Sequence, residues 1–146
     1  MVHSAAPLWV VVDLAVASGL RIPPLEGRAR SRTPITLGGM DTLGYQEHQP
    51  ERADIDALNG PVVVEFGTNW CGYCRASHRY LDPVLAADPD LTYIKVEDGK
   101  GRPLGRSFRV KLWPTAVFLR DGVEVARLVR PTSRDAVEDA LRRIAA

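Results

Sequence analysis

Cys71 and Cys74 are the only cysteines of the chain, and two residues separate them. Cysteine attacks as the thiolate, which the unpaired N–H groups and the dipole of a helix N-terminus stabilise. The sequence predicts a strand before Cys71 and a helix that opens at the pair, so Cys71 is expected to be a partly exposed nucleophile. Cys74, one turn later, is expected to be more buried and to resolve a mixed disulfide formed at Cys71. This arrangement is typical of thiol–disulfide exchange.

Metal binding is the alternative chemistry for such a pair. His78 and His48 could complete four ligands around a zinc ion. However, the chain has no second cysteine pair, and a CxxC between a strand and a helix favours redox chemistry. We therefore expect no bound metal. His78 is expected to be a solvated helix residue, although its protonated form could lower the pKa of a neighbouring thiol.

Length and composition indicate one globular domain that binds neither nucleic acid nor a membrane. The chain has 146 residues, of which 45% are hydrophobic and 25% charged, and its net charge is +1. A nearly neutral chain gives no global electrostatic basis for binding nucleic acid or an anionic membrane. No apolar run approaches the roughly 20 residues that span a bilayer. We therefore expect neither nucleic acid nor membrane among its partners.

The N-terminal part differs in composition from the rest. Residues 1–39 are expected to form a flexible extension and residues 40–146 the folded domain, because segment 21–39 mixes Pro, Gly and Arg with little hydrophobic periodicity. Segment 8–20 is more apolar, but Asp13 interrupts it and no Lys or Arg precedes it, which argues against a signal peptide. We therefore predict a cytoplasmic protein, with export to the periplasm as the alternative.

The domain is predicted to be α/β, with a central mixed sheet covered by helices on both faces. Short apolar, β-branched runs indicate strands, and apolar residues at three- and four-residue steps indicate helices. Asp121-Gly122 between two apolar runs indicates a hairpin, and Pro83 is expected to kink or restart its helix. The predicted strands cover 61–66, 91–96, 115–119 and 123–129, and the predicted helices cover 50–58, the stretch after the cysteines, 104–108 and 132–144.

The segment VVVEFGTNWCGYC resembles the active-site strand and helix of the thioredoxin family. The resemblance continues through LTYIKVED, the Trp113-Pro114-Thr115 step, the hairpin AVFLRDGVEVARLV and the terminal helix. It spans roughly residues 50–145 and is far more specific than a bare CxxC. It implies a thioredoxin-like fold and an oxidoreductase that reduces protein disulfides, with no cofactor beyond the redox-active Cys71–Cys74 disulfide.

The resemblance also implies roles for residues around the cysteines. Glu65 takes the position of a buried acid that relays a proton behind the second cysteine, and Lys95 that of a buried lysine that would pair with it. A charge within an apolar strand is costly unless it is paired or neutralised, which favours the relay over two solvent-facing side chains. The residues expected to bind substrate are Trp70, Gly72, Tyr73, Trp113 and Pro114, the last as a cis-proline facing the disulfide.

Three departures from the family pattern leave the substrate and the redox potential open. Tyr73 replaces the proline between the cysteines, Gly67 stands where thioredoxins usually have Trp, and RPTSRD after Val129 lacks the glycine of the substrate groove. The alternatives are therefore an exported oxidase or isomerase, or a non-catalytic binding module. The implied partners are disulfide-containing client proteins and a thioredoxin-reductase-like or glutathione-linked electron donor. The chain itself is expected to be a monomer.

Overall fold

The computed structural model describes residues 44–145. The predicted extension 1–39 and the predicted start of the domain at Met40 lie outside these residues. No helix in the described part is long and apolar enough to cross a membrane. The elements in chain order are α1 (Arg52–Asp56), β1 (Pro61–Gly67), α2 (Gly72–Leu85), β2 (Thr92–Glu97), α3 (Pro103–Ser107), β3 (Thr115–Arg120), β4 (Val123–Val129) and α4 (Arg134–Ala145).

The four strands form one mixed sheet in the order β2-β1-β3-β4. β1 pairs in parallel with β2, whereas the β1–β3 and β3–β4 pairs are antiparallel. Between β3 and β4, Asp121 and Gly122 have φ angles of 50° and 77°, the left-handed conformation that a tight two-residue hairpin requires at both positions. The predicted mixed sheet and hairpin are confirmed.

Helices cover both faces of this sheet, as predicted. Side chains alternate along β1, so successive residues enter opposite cores. One core joins one side of the sheet to α1 and α3, and the other joins the opposite side to α2 and α4. The first contains Val62, Val64, Phe66, Ile55, Leu104 and Phe108. The second contains Val63, Leu81, Leu85, Val137 and Ile144.

The end of β1 and the start of α2 set the position of the cysteines. β1 ends at Gly67, and α2 begins at Gly72 with Cys71 as its N-cap residue. The helix continues through Pro83 to Leu85, so no new helix starts at the proline. Because Glu65 has the same parity as Val63 along β1, its side chain lies on the face covered by α2.

Candidate active site

The first turn of α2 distinguishes the two cysteines by geometry. Cys71 has extended φ and ψ angles of −74° and 120°, and its Sγ accepts the backbone N–H of Cys74 at 3.4 Å. Cys71 keeps 8% of its surface exposed, whereas Cys74 is fully buried. Both thiols are free. A client can therefore reach Cys71 first, and Cys74 only through Cys71.

The surroundings shift the pKa values of the two thiols in opposite directions. Burial acts to raise the pKa of Cys71, but hydrogen bonds from Cys74 and Tyr73 and the positive charge of Arg130 bring it below the ordinary thiol value. Burial raises the pKa of Cys74 to about 11, and its bond with the Cys71 thiol adds to this increase. At neutral pH the thiolate is therefore favoured at Cys71, and Cys74 holds its proton.

A buried carboxylate lies behind Cys74 at the centre of a hydrogen-bond network. Glu65 is fully buried, so the solvent-facing alternative is wrong for this residue. Its Oε1 accepts the Tyr45 hydroxyl at 2.5 Å and lies 3.0 Å from His78 Nε2. Its Oε2 accepts the Tyr93 hydroxyl. These hydrogen bonds compensate the cost of burying a polar side chain in an apolar core.

Tyr45 connects this carboxylate to the second cysteine. Its ring is almost fully buried against the two cysteines, its hydroxyl donates to Glu65, and its interaction with the Cys74 thiol acts to lower the pKa of that thiol. The same hydroxyl lies 3.3 Å from His78 Nε2. Burial and the negative charge of Glu65 raise the pKa of Tyr45, so the phenol remains a proton donor at neutral pH.

The structure corrects two expectations about the neighbours of Glu65. Lys95 is paired with Asp82, its Nζ lying 2.9 Å from Oδ1, and not with Glu65. The expectation of a solvated His78 is also wrong, because its side chain is only 23% exposed and lies against Glu65. The three groups nearest Glu65 are therefore two phenols and one imidazole.

Potential metal ligands meet beneath α2 and do not include the cysteines. Among residues 44–145 the one group of three or more such ligands comprises Glu65, His78 and Asp82, whose donor atoms lie within 4.8 Å of one another. The tyrosine hydroxyls already bond Glu65 and the Lys95 ammonium already bonds Asp82. A cation there would have to displace this ammonium, so the donor set suits proton transfer better than metal binding.

Aromatic side chains surround the exposed side of Cys71. Trp70 and Tyr73 are 71% and 58% exposed, which is unusual for side chains of this size. Trp70 packs edge-on against Trp113 with ring centroids 5.9 Å apart. The Trp113 indole donates to Asp98 at 2.8 Å, and the Trp113–Pro114 peptide bond is cis.

Comparison with known proteins assigns the chain to a family. The family model described as Thioredoxin matches residues 46–143. The chain belongs to the thioredoxin family. The fold and the family make this thioredoxin a thiol–disulfide oxidoreductase by class, as the resemblance implied.

Three similar proteins, one with a solved structure, are thioredoxins. The structure of reduced thioredoxin 2 from Pseudomonas aeruginosa PAO1 is similar at 51% sequence identity and a TM-score of 0.65, over 72% of this chain and 97% of that one. The thioredoxin of Mycoplasmoides gallisepticum is 30% identical over 79 residues, which are 52% of this chain and 79% of that protein. Thioredoxin H-type 1 of Nicotiana tabacum is 35% identical over 68 residues, 47% of this chain and about half (54%) of its own length.

Tyr45, like Tyr93 and Arg130, is a site residue that sequence reasoning missed. It lies in a polar stretch before α1 with no periodicity around it, and only Gly67 gave a signal, because thioredoxins usually have a large Trp there. A Cβ atom on Gly67 would lie 2.5 Å from Tyr45 Oη and 2.7 Å from Cys74 Sγ. In this thioredoxin Tyr45 therefore occupies the space beside Gly67.

Proposed function

We propose that this thioredoxin reduces disulfide bonds of client proteins by dithiol–disulfide exchange between Cys71 and Cys74. The observation that carries the proposal is the difference between the two thiols at the start of α2. Cys71 has some exposed surface and a lowered pKa, whereas Cys74 is fully buried with a raised pKa. Cys71 is thus available to attack as a thiolate, whereas Cys74 keeps its proton until the second step.

The first step forms a mixed disulfide. The Cys71 thiolate attacks one sulfur of the client disulfide and forms a new S–S bond to it. The client S–S bond breaks, and its second sulfur leaves as a thiolate that takes a proton from solvent. We propose that Trp70, Gly72, Tyr73, Trp113 and Pro114 bind the client chain beside the attacking sulfur.

The second step releases the client and needs the proton of Cys74 to leave. The Cys74 thiol can pass its proton to the Tyr45 oxygen while the Tyr45 hydroxyl passes its own to Glu65. His78, with Nε2 unprotonated, can accept it next and lies partly in solvent. The Cys74 thiolate then attacks Cys71 Sγ, and the client sulfur leaves as a thiolate that is protonated.

The cycle balances as a two-electron transfer. The client gains two electrons and two protons and becomes a dithiol, while the enzyme dithiol becomes the Cys71–Cys74 disulfide. A reductant of this kind must be reduced again after each turnover. We therefore propose a thioredoxin-reductase-like or glutathione-linked electron donor. Because such donors work in a reducing compartment, we propose that the protein is cytoplasmic. We also propose that it is a monomer.

The test combines turnover with trapping. With dithiothreitol as donor, the full chain is expected to reduce the interchain disulfides of insulin, and Cys71→Ser to abolish this activity. Cys74→Ser is expected to accumulate mixed disulfides with client proteins through Cys71. Partners that stay bound when both cysteines are serine would favour the binding module instead.

The direction of electron flow is tested by the midpoint potential of the couple in defined redox buffers. A value near about −270 mV supports a reductant, whereas about −180 mV or higher would support an oxidase or isomerase. If no reversible two-electron transition occurs, the exchange mechanism itself is wrong.

A further inference from the structure

Arg130 occupies the position after β4 where the family's substrate groove usually has a glycine. Its φ angle is 50°, a left-handed backbone conformation that residues other than glycine rarely adopt. An arginine kept in such a conformation invites a functional explanation. The contacts of its backbone and side chain show what holds Arg130 in this conformation.

Three contacts fix Arg130 near the cysteine pair. Its backbone N–H donates to the Pro114 carbonyl at 2.9 Å, and its Nε donates to the Trp113 carbonyl at 3.0 Å. Its guanidinium carbon lies 3.7 Å from the centre of the Tyr73 ring, within the range of a cation–π contact. Arg130 therefore joins the loop before β3 to the residue between the cysteines.

This arrangement leaves much of the guanidinium free to bind a ligand. Within residues 44–145 only Nε of the side chain makes a hydrogen bond, and no carboxylate forms an ion pair with Arg130. The nearby Asp98 carboxylate accepts the Trp113 indole instead. A planar guanidinium with two free amino groups matches the geometry of a carboxylate.

We propose that Arg130 is a specificity-determining residue that selects clients carrying an acidic side chain beside the attacked cysteine. The inference rests on the proposed function, because it concerns which disulfides the Cys71 thiolate reaches. The exposed ring of Tyr73 would face the client chain, and the guanidinium stacked on it would pair with the client carboxylate. Because Arg130 also lowers the pKa of Cys71, one side chain would serve both recognition and attack.

Matched disulfide peptides test this selection. Three peptides are identical except for Glu, Gln or Lys beside the reactive cysteine, and the rate constant for their reduction is measured with the pre-reduced full chain. We expect the rate constant to be highest for the Glu peptide, lower for Gln and lowest for Lys. The Glu peptide should be reduced about three- to tenfold faster than the Lys peptide, as for a partly exposed charge-assisted pair. This Glu/Lys ratio of rate constants is expected to decrease as the salt concentration rises.

Variants separate recognition from the effect on the thiol. Arg130→Gly is expected to bring the Glu/Lys ratio close to one, and Arg130→Lys to keep the order with a smaller ratio. A change in the pKa of Cys71 alters the thiolate fraction equally for all three peptides and so cancels in this ratio. Arg109→Gly is the matched control, because Arg109 is exposed, also has a positive φ angle of 57° and makes no hydrogen bond or ion pair to the site in the described part.

The outcomes distinguish this inference from the proposed function. If no peptide is reduced, the proposed function fails. If all three are reduced at equal rates, or if Arg130→Gly slows all three by the same factor, only the specificity inference is overturned. A variant that does not fold would be recognised by loss of cooperative unfolding, and Arg130→Lys would then provide the test.

Discussion

The Tyr45 hydroxyl donates to Glu65 Oε1 at 2.5 Å, although 20 residues separate them along the chain. The segment before α1 thus supplies a proton-carrying group to the back of the cysteine pair. Tyr45 also packs against Cys74 and acts to lower the pKa of its thiol, so it links the resolving thiol to the buried carboxylate. The proposed proton transfer from Cys74 to Glu65 depends on this bridge.

Removing the Tyr45 hydroxyl should slow the second step of the exchange. The bond from Tyr45 acts to lower the pKa of Cys74, so Tyr45→Phe should leave less thiolate and no direct route for its proton. We expect the mixed disulfide at Cys71 to decay about tenfold more slowly, measured by stopped-flow with an aromatic disulfide. Tyr80→Phe is the control, because Tyr80 packs against the core between the sheet, α2 and α4, in a cluster that contains neither cysteine nor Glu65. Equal decay in Tyr45→Phe and the wild type would remove Tyr45 from the relay.

Glu65 should contribute to stability mainly as an acceptor for buried hydroxyls. Glu65→Ala leaves Tyr45 and Tyr93 without their acceptor and should lower the free energy of unfolding by about 2–4 kcal/mol. Glu65→Gln keeps an oxygen acceptor and removes a buried charge, so its change should stay within about 1 kcal/mol. Urea denaturation of the reduced protein measures both. A smaller loss for Ala than for Gln would contradict this account.

Alkylation should report the opposite pKa shifts of the two thiols. Because the pKa of Cys71 is lowered, its reaction with iodoacetamide should reach half its maximal rate at a pH below that of an ordinary thiol. In Cys71→Ser, Cys74 loses the Cys71 bond that raises its pKa but stays buried, so it should still react only above the pH at which an ordinary thiol reacts. Cys74→Ala removes a bond that lowers the pKa of Cys71, so the profile of Cys71 should move to higher pH. Identical profiles for both cysteines would be incompatible with this site.

Gly67 should tolerate no side chain while Tyr45 is present. A Cβ atom there would lie 2.5 Å from Tyr45 Oη and 2.7 Å from Cys74 Sγ, so Gly67→Ala should cost about 1–3 kcal/mol of stability. Combining it with Tyr45→Ala should recover part of this loss as a coupling energy. Gly72→Ala is the control, because a Cβ atom on Gly72 meets nothing within 4 Å. Strictly additive effects of the two substitutions would argue against a contact.

Sequence patterns were sufficient to predict the helices and strands and the position of the cysteine pair among them. The apolar run of β1 and the positions of Asp121-Gly122 follow from local rules, and local rules also put Cys71 at a helix N-terminus. These features depend on residues close in sequence, so the chain's own periodicity encodes them. The order of these elements likewise predicted one mixed sheet covered by helices on both faces, and the thioredoxin resemblance implies the same fold.

The partners of Glu65 could not be predicted in the same way, because they depend on how far side chains reach between elements. Glu65 and Lys95 are direct register partners on β1 and β2, which made their pairing reasonable. The long Lys95 side chain instead extends past the Tyr93 ring, 5.2 Å from its centre, to Asp82 on α2. Tyr93 then takes the place at Glu65 that the resemblance assigns to Lys95.

The side chains that tune the two thiols come from opposite ends of the described chain. Tyr45 precedes the first helix and Arg130 follows the last strand, whereas the cysteines and Glu65 lie between Pro61 and Leu85. A graft of residues 61–85 into another scaffold of the same fold would therefore transfer the reacting sulfurs without the phenol and the guanidinium that set their acidity. The two transplanted thiols should then have pKa values close to those of the host's own cysteine pair.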